Sequence, residues 1–291
     1  MRVSFKLALN LNIFCKNSMK YYDYPKLFVL AVPVTIFFAT FFIVPMVQLA
    51  IVGGSSDEGI SSYFSILNKP RHFESMFATL ILSITVTFSA LIISTAAGLF
   101  LVRNFFPGRE VVLSILTFPL AFPGVVIGFL IIMLAGRQGL IGTITKTLTG
   151  DKTVFAYSML GLFFGYLYFS IPRVILTIMA AAEKLDKSLE EVAKSLGAPP
   201  YRVIIDIIIP ALKPGLIASG AICFATSMGA FGTAFTLATN IDVLPMTIYT
   251  EFTLNANIAG AASLSIVLGL VTWIALFMSR SLSGQTIAVS G

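Results

Sequence analysis

Charged residues are scarce in this chain. Asp, Glu, Lys and Arg together make up 11% of its 291 residues, whereas a typical soluble domain contains about 25% charged residues. This composition does not suit a soluble surface. Hydrophobic residues supply 57% of the chain and the mean hydropathy is +0.95, so we expect most of the chain to lie in lipid.

Residues that carry catalysis or bind metals are also few. The single histidine, His72, has no cluster of Cys or carboxylates at ligand spacing near it, which disfavours a metal site. The two cysteines, Cys15 and Cys223, fall in segments expected to lie far apart, so no disulfide framework is implied. The patterns H-E-x-x-H, G-x-S-x-G and G-x-x-x-x-G-K-[ST] are absent, which argues against a membrane enzyme and against an ATPase.

Six apolar runs are long enough to cross a bilayer, whose hydrocarbon core requires about 20 residues of helix. Soluble helices of this length are rarely apolar on every face, so a large buried soluble core is a poor alternative. The sequence therefore predicts an all-α integral membrane protein with about six transmembrane helices. The predicted spans are residues 27–52, 76–102, 111–135, 154–178, 212–237 and 256–279.

Basic residues are distributed unequally between alternate connections. With the N-terminus placed in the cytoplasm, 14 of the 19 Lys and Arg residues fall in inside segments. The positive-inside rule therefore predicts that both termini are cytoplasmic. Residues 1–26 are predicted to be a basic tail, and residues 76–280 the membrane core. The run at 27–52 is too long for the apolar region of a cleavable signal peptide, so we expect a retained first span.

Glycines recur at four-residue spacing in the third and fourth spans, at Gly124 and Gly128 and at Gly161 and Gly165. This spacing lets helix backbones approach closely, either within one subunit or across a subunit interface. Prolines are expected to break the third span near its start and to interrupt the fourth span at Pro172. Such breaks are tolerated where neighbouring helices or a cavity satisfy the freed backbone groups.

A dense group of charges stands between the fourth and fifth spans. Seven charged residues fall within residues 183–194, in a chain that is otherwise mostly apolar. A membrane protein that places one charged helix between two apolar spans is expected to present that helix to a partner in water. The charged residues are Glu183, Lys184, Asp186, Lys187, Glu190, Glu191 and Lys194.

The same segment carries the signals of helix boundaries. Ser188 and Glu191 form an S-x-x-E capping box, in which each side chain accepts from the backbone N–H of the other residue. Gly197 supplies the left-handed position that ends a helix, and a second short helix is expected to stop before Pro210. The pattern predicts a helix–turn–helix at the inner membrane face, in a loop at about residues 183–210.

Glu190 and Lys194 are predicted to form an i,i+4 pair on the exposed side of the first of these helices. The structural alternative is an amphipathic helix that rests on the lipid surface. Its acidic residues disfavour that alternative, because they would be repelled by an anionic leaflet.

This segment resembles the signature of a known family. The EAA signature of ABC importer permeases reads EAA, three residues, Gly, nine residues and then I-x-L-P. The chain keeps this spacing with two apolar departures, Val192 in place of the first Ala and Ile209 in place of Leu. It therefore resembles the permease subunits of type I binding-protein-dependent ABC importers over nearly the whole membrane part. The matching residues are Glu191, Val192, Ala193, Gly197, Ile207, Ile209 and Pro210.

The resemblance implies several partners: a second permease, identical or related, two cytoplasmic ATP-binding subunits, and a periplasmic or extracellular substrate-binding protein. ATP and Mg²⁺ would bind to the ATPase partner, so this chain would bind no cofactor and would not be an enzyme. The helix–turn–helix would dock on the ATPase as a coupling helix, at the bacterial inner membrane. The residues expected to serve this coupling are Glu190, Glu191, Val192, Ala193, Gly197, Ile207, Ile209 and Pro210, with Ser188 as the helix cap.

The substrate is less strongly indicated. The resemblance is closest to the branch that serves polyamines, ferric iron, sulfate, thiamine and aminoethylphosphonate. Asp242 and Glu251, expected on the outer side, would suit a cationic solute, so a polyamine-like substrate is favoured. The same carboxylates could instead be solvated or contact the binding protein. The residues expected to line the pathway are Ser227, Met228, Phe231 and Thr233.

A secondary transporter without an ATPase partner is the alternative of a different class. Such a transporter usually carries charged residues at mid-membrane depth for ion coupling, and often an inverted repeat. Arg173 is a basic residue within a predicted span. We expect its long side chain to extend to the membrane interface, as basic side chains near helix ends do.

Overall fold

A computed structural model describes residues 24–55, 59–64, 68–186, 188–237 and 241–283. The first 23 residues of the predicted tail, with Cys15, lie outside the described residues. The chain divides into two compact units, Met1–Ile51 and Val52–Gly291. The described part is helical and contains no strand, which confirms the predicted all-α fold class.

The helices of the first unit are α1, Tyr24–Phe38, and the beginning of α2, Val44–Gly54, with a π turn at Ala39–Ile43 between them. In the second unit, short 3-10 turns cover Gly59–Phe64 and Phe118–Ala121. The other helices of the described ranges are α3 (Pro70–Arg103), α4 (Arg109–Thr117), α5 (Gly124–Ala135), α6 (Leu140–Thr149), α7 (Met159–Ala182), α8 (Ser188–Ser195), α9 (Pro200–Arg202), α10 (Ile209–Met228), α11 (Phe231–Leu237), α12 (Leu244–Thr253) and α13 (Ile258–Ser283).

Six helical segments in the described ranges are long and apolar enough to cross a membrane, judged by length and composition. Their number confirms the predicted six spans, although the bounds shift and two of the predicted spans are divided. The segments are Ala31–Gly54, Pro70–Arg103, Gly124–Thr149, Met159–Ala182, Pro200–Met228 and Ile258–Ser281.

The third predicted span is not one helix. α4 ends at Thr117, a 3-10 turn covers Phe118–Ala121, and α5 begins only at Gly124. Pro119 and Pro123 lack an N–H and have a fixed φ, so a helix cannot continue undisturbed through this point. Pro123 stands instead at the N-cap of α5 in an extended conformation, with φ −67° and ψ 153°. The break predicted near the start of this span is therefore present.

The fourth span is not interrupted at Pro172, contrary to the prediction. α7 runs from Met159 to Ala182 with Pro172 buried inside it. Of the six apolar segments, α7 has the largest buried share, 56%, so packing against its neighbours keeps the helix continuous across the proline. Beside the proline, the hydroxyl of Ser94 on α3 donates to the carbonyl of Ile171 at 3.1 Å.

The fifth predicted span is divided near its end. α10 stops at Met228 and α11 starts at Phe231. The Ala230 carbonyl at this break accepts a hydrogen bond from the hydroxyl of Tyr166 on α7, at 2.6 Å. Tyr166 is 1% exposed, so a buried side chain of a neighbouring helix satisfies the backbone group that the break frees.

Three long helices, α3, α7 and α10, form the centre of the second unit, and each packs against the other two. Glycines bring α5 and α7 close to α11. A Cβ atom on Gly128 would lie 2.5 Å from the Cβ of Thr236, and one on Gly165 would lie 2.8 Å from the Cγ2 of Thr233. These two glycines therefore serve packing within this chain, which is the first of the two interpretations of their spacing.

Candidate coupling hairpin and transport cavity

The predicted helix–turn–helix is present, and we call residues 188–208 the coupling hairpin. Its first helix, α8, is followed by Gly197, which has φ +81°. The Ala198 N–H closes the turn by donating to the Ala193 carbonyl at 3.0 Å. Glycine adopts this left-handed conformation without the steric cost that a side chain brings. The position of the turn is therefore the one that the sequence predicted.

The second half of the hairpin differs from the prediction. α9 leads through a π turn at Val203–Ile208 directly into α10, so the second helix does not stop before Pro210. Pro210 follows the π turn directly, and a wider turn is a common place for a proline, which has no N–H to donate. The wide turn just before the proline lets the chain continue as one helical segment from the hairpin into a membrane span.

The capping box at the start of α8 is not formed as predicted. The Ser188 N–H donates to Oδ1 of Asp186 at 2.9 Å, so the donor that the Glu191 carboxylate was expected to satisfy is already occupied. Asp side chains commonly accept from the N–H two residues further on, which explains the change of partner. Hydrogen bonds from the backbone and hydroxyl of Ser188 lower the pKa of the Asp186 carboxyl.

Glu190 lies on the inner side of α8 and not on the exposed side, which corrects the prediction. Its side chain is 7% exposed, and each of its carboxylate oxygens accepts from one terminal nitrogen of Arg103. Arg103 is the last residue of α3 and has a side chain that is 30% exposed. The expected pair with Lys194 is replaced by this bidentate ion pair, because the planar guanidinium fork matches both oxygens of a carboxylate.

The outer side of α8 carries both polar and apolar side chains, since Ser188, Lys194 and Ser195 are exposed there. Leu189, Val192 and Leu196 are 56%, 57% and 82% exposed, and Glu191 is exposed as well. We call these four residues the exposed face of the hairpin. Large apolar side chains that are this exposed on a short, mostly polar helix are typical of a contact with a partner. Of the predicted coupling residues, Glu191, Val192, Gly197, Ile209 and Pro210 are exposed in this chain, whereas Glu190 is buried and Ala193 and Ile207 are half-buried against its interior.

A cavity of about 290 Å³ lies where the two divided spans meet. The 3-10 turn before α5 forms one side of it, and α7, α10 and α11 form the others. Both breaks in the helical spans therefore border the same space. The lining residues include Pro119, Phe122, Phe169, Arg173, Thr226 and Thr233.

Arg173 is the one charged side chain among the described residues that line this cavity. No carboxylate of the described ranges lies within ion-pair distance of it. The sequence prediction that this side chain extends to the membrane interface did not anticipate its place in a cavity wall. The sequence did carry a signal for the place of Arg173 in the cavity wall. This residue directly follows Pro172, and the third span of the same chain carries two helix-breaking prolines.

The four predicted pathway residues are not all at the cavity. Thr233 lines it, and its hydroxyl donates to the Gly124 carbonyl at 3.0 Å. Ser227 and Met228 are fully buried and do not line it. Phe231 packs against aromatic rings of α11 and α12 instead. The structure therefore brings Thr233 together with Arg173 and leaves the other three in packing positions.

The carboxylate of Asp242, which was expected to suit a cationic solute, already has a cationic partner. Its two oxygens accept from Nε and Nη2 of Arg71, at 3.2 Å each. About half of each side chain is exposed, so the pair contributes little to stability. It does neutralise the charge on which the polyamine prediction depended.

Glu251 is also engaged within the chain. It accepts from Asn255 at 3.1 Å and from Asn257 at 2.8 Å, and one oxygen lies 3.5 Å from Nε2 of the buried His72. Burial by itself raises the pKa of the Glu251 carboxyl, but hydrogen bonds from Asn257, Asn255 and His72 outweigh it and lower the pKa. Neither outer carboxylate is therefore free to bind a cation.

Residues 90–284 match the model of a protein family described as the binding-protein-dependent transport system inner membrane component. The chain belongs to this family. The permease is also 34% identical over 211 residues to the molybdenum transport system permease protein ModB of Escherichia coli (strain K12). That similarity covers 70% of this chain and 91% of ModB.

A second relative and a solved structure agree with this assignment. The putative 2-aminoethylphosphonate transport system permease protein PhnU of Salmonella typhimurium is 29% identical over 255 residues, which covers 84% of this chain and 89% of PhnU. The fold is similar to a chain in the crystal structure of a bacterial alginate ABC transporter, with a TM-score of 0.75. That comparison has 17% identity and covers 89% of this chain and 94% of the other.

Family membership confirms the resemblance to type I importer permeases. The permease is a multi-pass membrane protein, and the ATPase activity of such systems lies on a separate subunit. The alternatives of a secondary transporter and of a membrane enzyme are thereby excluded. An ATPase and a substrate-binding protein are the general partners of permeases of this kind.

Proposed function

We propose that the permease forms the translocation pathway of an ATP-driven importer for a small oxyanion, in the bacterial inner membrane. The supporting observation is Arg173, which lines the cavity and has no carboxylate partner among the described residues. An arginine side chain stays charged at physiological pH. An ionisable side chain in a membrane segment is costly, and by default it marks a substrate or ion pathway.

The N-terminus of α5 adds to the positive character of this cavity. α5 begins at Gly124, which lines the cavity, and runs for 12 residues. The first turn of a helix presents free N–H groups and a partial positive charge, both of which favour an anion. The volume of about 290 Å³ is at the small end of the range for ligand pockets, so a small solute fits it best.

The two relatives are named after solutes that carry negative charge, which fits an oxyanion as the substrate of this permease. Molybdenum dissolves in neutral water as an oxyanion, and 2-aminoethylphosphonate carries an anionic phosphonate group. A polyamine would meet the positive charge of Arg173 in the cavity, and the outer carboxylates that suggested it are engaged by neighbours. Among the solutes of this family branch, we therefore favour molybdate, sulfate or a phosphonate over a polyamine, ferric iron or thiamine.

The coupling hairpin supports docking on a cytoplasmic ATP-binding subunit. In the exposed face of the hairpin, Glu191 is followed directly by the exposed Val192 and has no ion-pair partner among the described residues. Exposed apolar side chains together with an unpaired charged group are typical of a specific protein interface. We expect two such subunits, which carry ATP and Mg²⁺, a second permease and an outer binding protein, with both termini of this chain in the cytoplasm.

Uptake into proteoliposomes that contain the co-purified importer tests the substrate class. ATP is enclosed inside, and the binding protein is supplied outside with molybdate, sulfate, 2-aminoethylphosphonate or spermidine. We expect uptake of one oxyanion. In Arg173→Gln that uptake should fall about tenfold or more, since a hydrogen bond to a charged group contributes about 1.5–3 kcal/mol.

The matched control is Arg137→Gln, which neutralises an exposed arginine in the loop between α5 and α6. It should transport like the wild type. ATPase stimulation by the loaded binding protein tests the docking, and we expect Glu191→Ala to lose it while the subunits stay assembled. Uptake of spermidine, or undiminished oxyanion uptake in Arg173→Gln, would contradict the proposed substrate class.

A further inference from the structure

We propose that Arg103 and Glu190 are a positioning pair that fixes the coupling helix α8 to the membrane helix α3, so that a force on the hairpin moves the cavity wall. This inference rests on the proposed docking of an ATPase on the exposed face of the hairpin. The pair joins the last residue of α3 to the third residue of α8, 87 positions apart in the sequence. Glu191, the next residue, is exposed, so adjacent carboxylates serve this chain and its partner.

The geometry of the pair restrains orientation as well as distance. Both terminal nitrogens of Arg103 donate to the two oxygens of Glu190. Two parallel bonds from a rigid fork resist rotation, whereas a lysine in the same place would act as a point charge on a flexible stem. Because the Glu190 side chain is 7% exposed, water competes weakly for this contact.

α8 needs a fixed point because its other attachments are weak. It has eight residues, too few for a helix that is stable by itself. Its interior side contributes the small side chain of Ala193 to the apolar cluster beneath it, and Gly197 at its end is a turn without a side chain. Leu189 and Leu196 are exposed and add no anchor within the chain.

α3 carries the restraint to the cavity. Nε of Arg109 donates to the Leu101 carbonyl at 2.8 Å and closes the last turn of α3. Leu101 is buried in one cluster with Ile175 and Met179 of α7, the helix whose Arg173 lines the cavity. One route from α8 to the cavity wall therefore runs through a single ion pair and a single packed interface.

The test uses the whole importer in proteoliposomes, with ATP hydrolysis and solute uptake measured on the same preparation. Arg103→Lys keeps the charge and loses the fork. We expect ATPase stimulation by the loaded binding protein to fall about tenfold, within the range for residues that couple distant sites, with assembly unchanged. The exchanged pair, Arg103→Glu with Glu190→Arg, should restore most of the stimulation.

Hydrogen exchange of the assembled complex is a second readout, and it does not depend on the solute. In Glu190→Gln we expect faster exchange of the α8 amides, while those of α7 stay as in the wild type. The matched control is Glu183→Gln, which replaces an exposed carboxylate at the end of α7 and should change neither exchange nor stimulation.

The outcomes separate this proposal from the proposed substrate. Unchanged α8 exchange in Glu190→Gln, or full stimulation in Arg103→Lys, would overturn the role of the pair. A loss of assembly that the exchanged pair does not restore would also overturn it, since the two positions would then contribute something other than their ion pair. A wild-type importer that responds to no oxyanion would contradict the substrate proposal, and the exchange measurement would still decide on the pair.

Discussion

The coupling hairpin and the cavity are each contacted by an arginine on a membrane helix, and the charge of that arginine is partnered in one region and unpartnered in the other. Arg103 is paired through both terminal nitrogens with Glu190, whereas Arg173 has no acidic partner in the described part of the chain. A paired charge fixes one element to another, because its attraction is satisfied inside the molecule. An unpaired charge in a membrane helix keeps its attraction for a solute that passes.

The largest expected effect comes from removing each arginine in turn. Arg103→Met leaves the carboxylate of Glu190 buried without a partner, so we expect a loss of stability of about 3 kcal/mol. Arg173→Met leaves no such charge behind and should change stability by less than about 0.5 kcal/mol, while it abolishes uptake. Thermal inactivation of the purified complex measures the loss of stability in each variant. Equal losses of stability in the two variants would remove the distinction between the regions.

Packing around the cavity gives the next largest effect. A methyl group on Gly128 would lie 2.5 Å from the Cβ of Thr236, so Gly128→Ala must separate α5 from α11. We expect a loss of about 1–3 kcal/mol, together with reduced uptake, because both helices border the cavity. The control is Gly269→Ala on α13, where no atom lies within 4 Å of the added methyl group. A neutral Gly128→Ala would show that this contact is adaptable.

The break between α10 and α11 gives a smaller effect. Tyr166→Phe removes the donor to the Ala230 carbonyl, which lines the cavity, and leaves a backbone acceptor unsatisfied at a cost of about 1–2 kcal/mol. Tyr249→Phe is the control, since Tyr249 contacts its neighbours through its ring, which packs against Phe231 and Phe235. The melting temperatures of the two variants show whether the Ala230 carbonyl depends on the hydroxyl of Tyr166. The same value for both variants would mean that water satisfies this carbonyl instead.

The smallest effect is expected at the start of the hairpin. The Asp186 carboxyl accepts from Ser188, which lowers its pKa, so its contribution is present at neutral pH, above the ordinary carboxyl pKa. That contribution disappears as the pH falls through the lowered value in the folded chain. Asp186→Asn should remove the corresponding part of the acid dependence of hairpin stability, measured by hydrogen exchange of α8 from neutral into acidic pH. An identical pH dependence in both proteins would show that another group stabilises this helix start.

Features that depend on neighbours in the sequence were predictable. The six apolar segments follow from hydropathy, the break before α5 follows from Pro119 and Pro123, and the turn after α8 follows from Gly197. Each of these depends on the backbone or on the apolar length of one segment. Local chemistry is therefore enough to place the spans and the coupling hairpin.

Features that depend on distant partners were not predictable in the same way. The spacing of Glu190 and Lys194 predicts an exposed pair, but Arg103 lies 87 residues away and provides a better geometry. The polyamine prediction failed to account for Arg71 beside Asp242, at a separation of 171 residues. A charge pattern indicates which groups need partners, and the tertiary fold decides which partners they find.

The π turn at Val203–Ile208 joins the hairpin to α10 without a break, so residues Pro200–Met228 form one continuous helical segment. At the α-helical rise of about 1.5 Å per residue, the distance from Pro200 to Thr226 in the cavity wall is at most about 39 Å. Such a segment acts as a lever. A tilt of about 5° at the hairpin end would carry the cavity end sideways by about 3 Å over that length, which is comparable to the radius of a small hydrated anion.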